Sequence, residues 1–136
     1  NVNKKYDLIV SNPPFYASDV KPIRDKKVMA RHVSTLSFND LLCSAKKMMK
    51  EDSRFAVVLP FYESRLFIKE AEYFGFHLQK EMQIIPIEGK DANRVNMQFV
   101  LNEVDDVETE LFTIRNKDYS YTEDYKIFLK DYYLDF

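Results

Sequence analysis

An unbroken apolar run, Phe55-Ala-Val-Val-Leu59, lies near the middle of a chain of 136 residues. Because its apolar residues are continuous rather than alternating, the run is typical of a strand covered on both faces, as in a parallel sheet. A helical pattern with Ser37 as its N-cap precedes the run, and a second one follows it from about Glu63 to Gly75. Helices on both sides of such a strand predict an α/β fold.

Strand patterns on either side of this unit extend the predicted sheet. Asp7 to Val10 is typical of a buried strand, and it ends at Asn12-Pro13-Pro14 because consecutive prolines fit neither a sheet ladder nor a helix interior. His77 to Ile87 and Val95 to Leu101 are typical of two further strands, and Leu111 to Arg115 of a short one. We therefore predict part of a doubly wound α/β sheet, with parallel strands followed by an antiparallel edge hairpin.

A helical pattern from about Glu123 closes the chain. Its aromatic residues, among them Tyr125, Phe128 and Tyr132, recur at helical spacing. We interpret this spacing as an aromatic face that packs into the core.

Composition and charge exclude several classes of protein. The single cysteine, Cys43, excludes a disulfide framework and a cysteine-ligated zinc site, and we expect no metal. No apolar run approaches the roughly 18 residues of a membrane span, and the polar start is unlike a signal peptide. We therefore expect a cytoplasmic protein without membrane contact. Since the net charge is −2, nucleic acid would have to bind through a local basic patch.

The tetrapeptide Asn12-Pro13-Pro14-Phe15 is the strongest candidate site in the sequence. It follows a predicted strand, and ligands of doubly wound sheets bind at the carboxyl ends of the strands. The side-chain carbonyl of Asn12 and the backbone carbonyl of Pro13 are two acceptors that suit both hydrogens of a planar NH2 group. Phe15 offers a flat face on which an unpaired base can stack. The alternative is a plain turn, which Asn-Pro commonly initiates.

The segment Asp7-Leu-Ile-Val-Ser-Asn-Pro-Pro-Phe15 resembles the motif of S-adenosylmethionine-dependent amino methyltransferases, in which Asn/Asp-Pro-Pro-aromatic follows a strand. Over essentially all 136 residues the chain is also similar to the bacterial tRNA(Val) adenine-N6 methyltransferases. The segments that carry this similarity include Ala30-Arg-His32, Phe55-Ala-Val-Val-Leu-Pro60, Arg94-Val95, Ile114-Arg115 and Tyr119-Ser-Tyr-Thr-Glu-Asp-Tyr125. The resemblance implies a Rossmann-like, class I methyltransferase sheet.

What the resemblance implies about activity is methyl transfer from S-adenosylmethionine to the N6 amine of the adenosine next to the tRNA anticodon. Asn12 and Pro13 would hold the amine, Pro14 would complete the catalytic motif and Phe15 would stack the base. Asn12 would also border the cofactor. An anticodon-loop base is already unpaired, so extruding it costs little.

Two polar segments are candidate RNA contacts. From Tyr16 to Leu36 no helix or strand period persists, and we expect a mobile loop that is disordered without substrate. Arg31 and His32 in this loop are expected to bind tRNA phosphates, and Lys90 and Arg94 are the next candidates. The alternative for the long loop is a solvated charged segment.

The cofactor-binding half of such an enzyme is missing from the sequence. The 136 residues contain two glycines, Gly75 and Gly89, and no glycine-rich phosphate-binding loop can be built from them. The resemblance thus implies that residues 1–136 are the C-terminal part of a single methyltransferase domain. We expect the chain alone to be inactive, and its exposed first strand to pair with another copy.

Other functions stay open at this point. A methyltransferase could instead act on ribosomal RNA or on a protein glutamine amide, which also presents an NH2 group. Outside the enzymes, the alternative is a non-catalytic RNA-binding module that uses the basic loop and the aromatic residues.

Overall fold

The computed structural model describes residues 3–14 and 37–133 of the chain. Within these two ranges the chain folds into five strands and three helices. In chain order they are β1 (Tyr6–Ser11), α1 (Phe38–Met48), β2 (Met49–Pro60), α2 (Phe61–Tyr73), β3 (His77–Ile87), β4 (Arg94–Val100), β5 (Glu108–Arg115) and α3 (Glu123–Leu129). The predicted alternation of strands and helices followed by neighbouring strands is confirmed.

The five strands form one sheet in the order β1-β2-β4-β3-β5. β1 is parallel to β2, β3 is parallel to β5, and β4 is antiparallel to both of its neighbours. The predicted α/β fold, with parallel strands followed by an antiparallel hairpin, is confirmed. The hairpin of β3 and β4 does not form the edge of the sheet, however, because β5 pairs with the outer side of β3.

Helices α1 and α2 cover one face of the sheet, which we call the helix-covered face. Phe67 of α2 lies in its core, with its ring centroid 5.6 Å from that of Phe99 and 6.3 Å from that of Phe55. The remaining core is built from buried apolar side chains of β2, β4 and the two helices, including Leu42, Ala45, Val57, Leu59, Ala71, Val95 and Met97. Burial of this face is what holds the described part of the chain together.

The ends of the helices follow from local sequence signals. The side chain of Ser37 accepts a hydrogen bond from the backbone N–H of Asp40 at 3.1 Å, which confirms the predicted N-cap of α1. Gly75 follows α2 with a φ of +83°, a left-handed conformation that favours glycine. Helix α2 begins at Phe61, directly after Pro60 and slightly earlier than predicted.

The opposite face of the sheet is not covered by a described helix beside β1 and β2, and we call it the open face. Val10 of β1 pairs with Ala56 of β2 on this face, and Val10 is 71% exposed. The prediction of a buried β1 is therefore wrong, and only Ile9 packs against the core. The physical reason is that β1 is an edge strand, whose outer side pairs with no described strand.

Helix α3 packs against the outer strand β5. The ring of Phe128 lies 5.6 Å from that of Phe112, yet Phe128 remains 64% exposed and no residue of α3 is buried. The predicted aromatic core face of this helix is wrong, because a short helix beside an edge strand has one neighbour to pack against. Tyr125 stacks instead on Tyr121, with ring centroids 4.9 Å apart.

Candidate functional site

Four strands end at the same edge of the sheet. β1, β2, β3 and β5 run in one direction, so their carboxyl ends meet there, and β4 begins there. We call this the carboxyl edge. It is the edge at which ligands bind in open α/β sheets, outside the ends of the strands.

The predicted motif lies at this edge, directly after β1. The last residue pair between β1 and β2 joins Ser11 to Val57, and the chain then leaves the sheet at Asn12. Pro13 is buried, whereas Asn12 and Pro14 are exposed. Among the described residues the amide of Asn12 has no hydrogen-bond partner, so its carbonyl oxygen keeps its capacity as an acceptor.

An open depression of about 280 Å³ lies beside Asn12. Val10, Ala56, Val58 and Asn96 of the open face line it together with Asn12. Ligand pockets in proteins usually range from about 300 to 1,000 Å³ and enclose most of the ligand. This depression has the size of a partial site, with one wall supplied by the sheet.

The segment after β2 places aromatic residues next to the motif. β2 is the immediate neighbour of β1, and Phe61 and Tyr62 follow it at the carboxyl edge. The backbone N–H of Phe61 donates to the carbonyl of Asn93 at 3.0 Å, which ties this segment to the start of β4. Tyr62 is 65% exposed. Sequence reasoning missed this segment, although an aromatic pair directly after an apolar strand is the same signal that identified Phe15.

The predicted basic residues Lys90 and Arg94 both lie at the carboxyl edge. Arg94 pairs with Pro60 of β2 and Ile84 of β3, so two strand spacings, about 10 Å, separate it laterally from β1. Lys90 lies farther out in the β3–β4 turn, where its backbone N–H donates to Ile87 at 2.9 Å. Both side chains are exposed, and neither forms an ion pair with a described residue. The structure thus brings Arg94 towards the motif and leaves Lys90 more distant.

Phe15, Arg31 and His32 lie outside the described residues, as does the whole predicted loop from Tyr16 to Leu36. The roles predicted for Asn12, Pro13 and Pro14 remain predictions, since a position at the carboxyl edge is necessary for them but does not establish them.

The one buried charged side chain among the described residues is Glu81 in β3, which faces α2. Burial alone would raise the pKa of Glu81, but hydrogen bonds from Arg65 and Gln83 outweigh it and lower that pKa below its ordinary value. Glu81 is therefore ionised at neutral pH and ties β3 to α2. Its position in the helix-covered face indicates a structural role.

Tyr125, beside the outer strand, also has a shifted pKa. Its hydrogen bond with the hydroxyl of Tyr133, together with burial, raises the pKa of Tyr125 to about 12.

The described ranges contain no group of three metal-ligating side chains. Nor does any helix within them have the length and apolarity needed to cross a membrane.

Comparison with curated proteins identifies relatives along nearly the whole chain. A tRNA1(Val) (adenine(37)-N6)-methyltransferase from Trichodesmium erythraeum is 34% identical over 133 residues, which are 98% of this chain and 55% of that protein. The proteins of the same name from Dyadobacter fermentans and Klebsiella pneumoniae are 31% and 30% identical, over 97% and 96% of this chain. The chain spans about half the length of these curated relatives, 53% to 56% of them. No family model matches the sequence.

Among solved structures, a predicted O-methyltransferase from Agrobacterium tumefaciens superposes with a TM-score of 0.57. The superposition covers 95% of this chain and 51% of that protein, at 13% sequence identity. At this identity the likeness shows the fold alone, which is that of a methyltransferase sheet. The resemblance predicted from the motifs is confirmed: over nearly its whole length, the chain is a homologue of the proteins named tRNA1(Val) (adenine(37)-N6)-methyltransferase.

Proposed function

We propose that this chain is the acceptor-binding half of an S-adenosylmethionine-dependent methyltransferase that modifies N6 of adenosine 37 in the tRNA anticodon loop. The observation that carries the proposal is the placement of Asn12 and Pro13 at the carboxyl edge, with the Asn12 amide exposed. The names of the curated relatives support the acceptor and the position of the modified base.

The chemistry required of these residues is positioning. The lone pair of an adenine amine is delocalised into the ring, which makes the amine a poor nucleophile. The side-chain carbonyl of Asn12 accepts one N–H and the backbone carbonyl of Pro13 accepts the other. Two acceptors in these places favour a pyramidal nitrogen whose lone pair points towards the methyl donor. Phe15 stacks the extruded base, and Pro14 stiffens the turn that holds all three groups.

The cofactor is assigned to the half of the longer protein that this chain lacks. Gly75 follows α2 and Gly89 lies in the β3–β4 turn, so neither glycine is part of a phosphate-binding loop. The depression beside Asn12 offers one wall only. S-adenosylmethionine, when bound, would supply an activated methyl group, and Asn12 is the residue of this chain that would border it.

Two features of the sheet support a missing half. The outer side of β1 pairs with no described strand, and Leu8 and Val10 are 47% and 71% exposed. Further strands beyond β1 and helices on the open face would bury these apolar side chains. The chain alone is accordingly inactive, and its free β1 edge is the place where two isolated copies pair.

Holding the tRNA is assigned to the basic residues. Arg31, His32, Lys90 and Arg94 bind phosphates, and the affinity falls as the salt concentration rises. Arg94 is the described cation best placed for the anticodon loop, because it starts the strand next to β2.

The proposal is tested with Asn12→Ala and Asn12→Asp in a protein that carries this chain at the full length of its relatives. Alanine removes the acceptor and is expected to lower kcat by about 10²-fold or more, with the Kd for tRNA unchanged. Aspartate keeps an acceptor oxygen and is expected to retain more activity than alanine. Full activity in Asn12→Ala contradicts the assigned role. If the methyl group of labelled S-adenosylmethionine appears in ribosomal RNA or in a protein glutamine, the acceptor is a different one.

A further inference from the structure

Tyr119 has an unusual backbone conformation. Its φ is +68°, and it is the one non-glycine residue with a positive φ in the described ranges. Aromatic side chains rarely adopt this conformation because it brings Cβ close to the backbone, which costs free energy. A surrounding structure has to hold such a residue in place.

Hydrogen bonds within the turn after β5 hold it there. The backbone N–H of Tyr119 donates to the carbonyl of Asn116, and the backbone N–H of Asn116 donates to that of Ser120, both at 2.9 Å. The guanidinium of Arg115 donates to the carbonyl of Tyr119 at 2.6 Å. Ser120 donates to Asp118 through its hydroxyl and its backbone N–H, which lowers the pKa of that carboxyl. The turn is therefore rigid.

The side chain that this turn presents is free. Tyr119 is 66% exposed, and its ring and hydroxyl have no partner among the described residues. The neighbouring aromatic residues differ in this respect, because Arg115 lies 4.1 Å above the ring of Tyr121, which itself stacks on Tyr125. Those rings anchor the turn to α3, whereas the ring of Tyr119 stabilises nothing described.

Two lysines lie in the turns at the same end of the carboxyl edge as Tyr119. Lys117 belongs to the same turn as Tyr119. Its side chain reaches the β3–β4 turn, because its Cε lies 3.9 Å from the position that a Cβ on Gly89 would occupy. Lys90 is the next residue of that turn. Neither lysine forms an ion pair with a described residue, in contrast to Lys80 and Lys126, which pair with carboxylates at 2.8 Å. Three exposed acids lie among these residues, because Glu88 and Asp91 flank Lys90 and Asp118 follows Lys117.

We propose that Tyr119, Lys117 and Lys90 form a second RNA-binding surface, at the far end of the carboxyl edge from Asn12. Tyr119 stacks on an unpaired base and the two lysines bind the adjoining phosphates. An exposed ring and unpaired cations in two adjoining turns suit single-stranded nucleic acid, because every base has a flat face and each nucleotide carries a phosphate. A rigid turn also reduces the conformational entropy lost on binding. The proposal rests on the proposed function, since the RNA is the tRNA substrate.

The test is the Kd of the full-length protein for an unmodified tRNA(Val) transcript, with Tyr119→Gly and Tyr119→Phe. Glycine removes the ring and suits the positive φ, so the melting temperature is expected not to fall. The Kd is expected to rise about 5- to 100-fold, and KM to rise with kcat unchanged. Phenylalanine keeps the ring and is expected to bind within about twofold of the unchanged protein. Lys117→Ala is expected to reduce the slope of log Kd against log salt by about one.

Tyr73→Ala is the matched control, because Tyr73 is an exposed tyrosine at the end of α2 that is remote from the carboxyl edge. If the Kd of Tyr119→Gly for tRNA equals that of the unchanged protein, the proposed RNA-binding surface is wrong. The exposed ring would then be assigned to a contact with another protein. An equal loss in Tyr73→Ala, or no tRNA binding by the unchanged protein, also overturns it. Methyl transfer measured on the same samples tests the proposed function separately, since it depends on Asn12 and survives loss of Tyr119.

Discussion

The two faces of the sheet are built from the same strands but differ in burial. On the helix-covered face Val57 is 3% exposed, and on the open face Val10 is 71% exposed. Successive residues of a strand point to opposite faces, so a continuous apolar run supplies both faces with apolar side chains. Helices α1 and α2 cover one of them, and beside β1 and β2 no described helix covers the other. Under the proposed function, the part of the relatives' length that this chain does not span would cover the bare face and extend the sheet beyond β1.

The largest expected effect is the loss of the core side chain of α2. Phe67→Ala removes a ring that is fully buried against Phe38, Phe55 and Phe99, and we expect it to destabilise the chain by about 3–5 kcal/mol. Urea unfolding followed by circular dichroism measures the change. Tyr62→Ala, an exposed aromatic at the start of the same helix, is the control and is expected to cost less than about 0.5 kcal/mol. Similar costs for both would contradict the assigned core.

A smaller loss of stability is expected when the ion pair between Arg65 of α2 and Glu81 of β3 is removed. Arg65→Met leaves the carboxylate of Glu81 buried without its main partner, and we expect a loss of about 2 kcal/mol. This is less than for a fully buried pair, because the side chain of Arg65 is 36% exposed. The double variant Arg65→Met/Glu81→Gln is expected to recover part of the loss. No recovery would show that packing of Arg65 on Phe61, 5.0 Å away, dominates.

The same pair predicts the pH dependence of stability. The pKa of Glu81 is lower in the folded chain than its ordinary value of 4.5, so its ionised form favours folding. This contribution is fully present above pH 4.5 and is lost as the pH falls through the folded-state pKa. Urea unfolding between about pH 7 and pH 3 is expected to show a smaller loss of stability for Glu81→Gln. Parallel pH profiles for the two proteins would contradict this.

The smallest effect is expected at Val10 of the open face, and Val57 of the helix-covered face is its comparison. Val57→Ala is expected to cost about 2 kcal/mol in this chain, because two buried carbons are lost. Val10→Ala is expected to cost less than about 0.5 kcal/mol here, and to cost more in the full-length protein, where we propose that the open face is covered. The measurement is urea unfolding of both variants in both proteins. An unchanged cost for Val10→Ala in the longer protein would contradict the proposed cover.

Sequence alone predicted the features that depend on neighbouring residues. The N-cap Ser37 and the helix end at Gly75 are local signals, and the position of Asn12 follows from the direction of one strand. The apolar residues of β1 alone predicted a buried strand, and its exposure was expected only from the resemblance, because exposure depends on what lies beyond the edge of the sheet. The place of β5 outside the hairpin depends on strand order, which no local pattern encodes.

The same limit applies to the candidate site. The motif at Asn12 was found because two carbonyl acceptors and an aromatic ring directly after an apolar strand can be recognised in the sequence itself. The turn at Tyr119 was not predicted as a candidate site. It is recognised only from the positive φ of Tyr119 and from its hydrogen bonds with Arg115 and Asn116, which form only in the folded chain.

The most direct test of the central claim is transfer of labelled methyl from S-adenosylmethionine to unmodified tRNA. The chain is assayed beside a version extended upstream to the length of its relatives. We expect label in N6-methyladenosine with the extended protein and none with the chain alone. Label in tRNA from the chain alone would contradict the assignment of the cofactor to the missing half, and no label in tRNA from either protein would contradict the proposed acceptor.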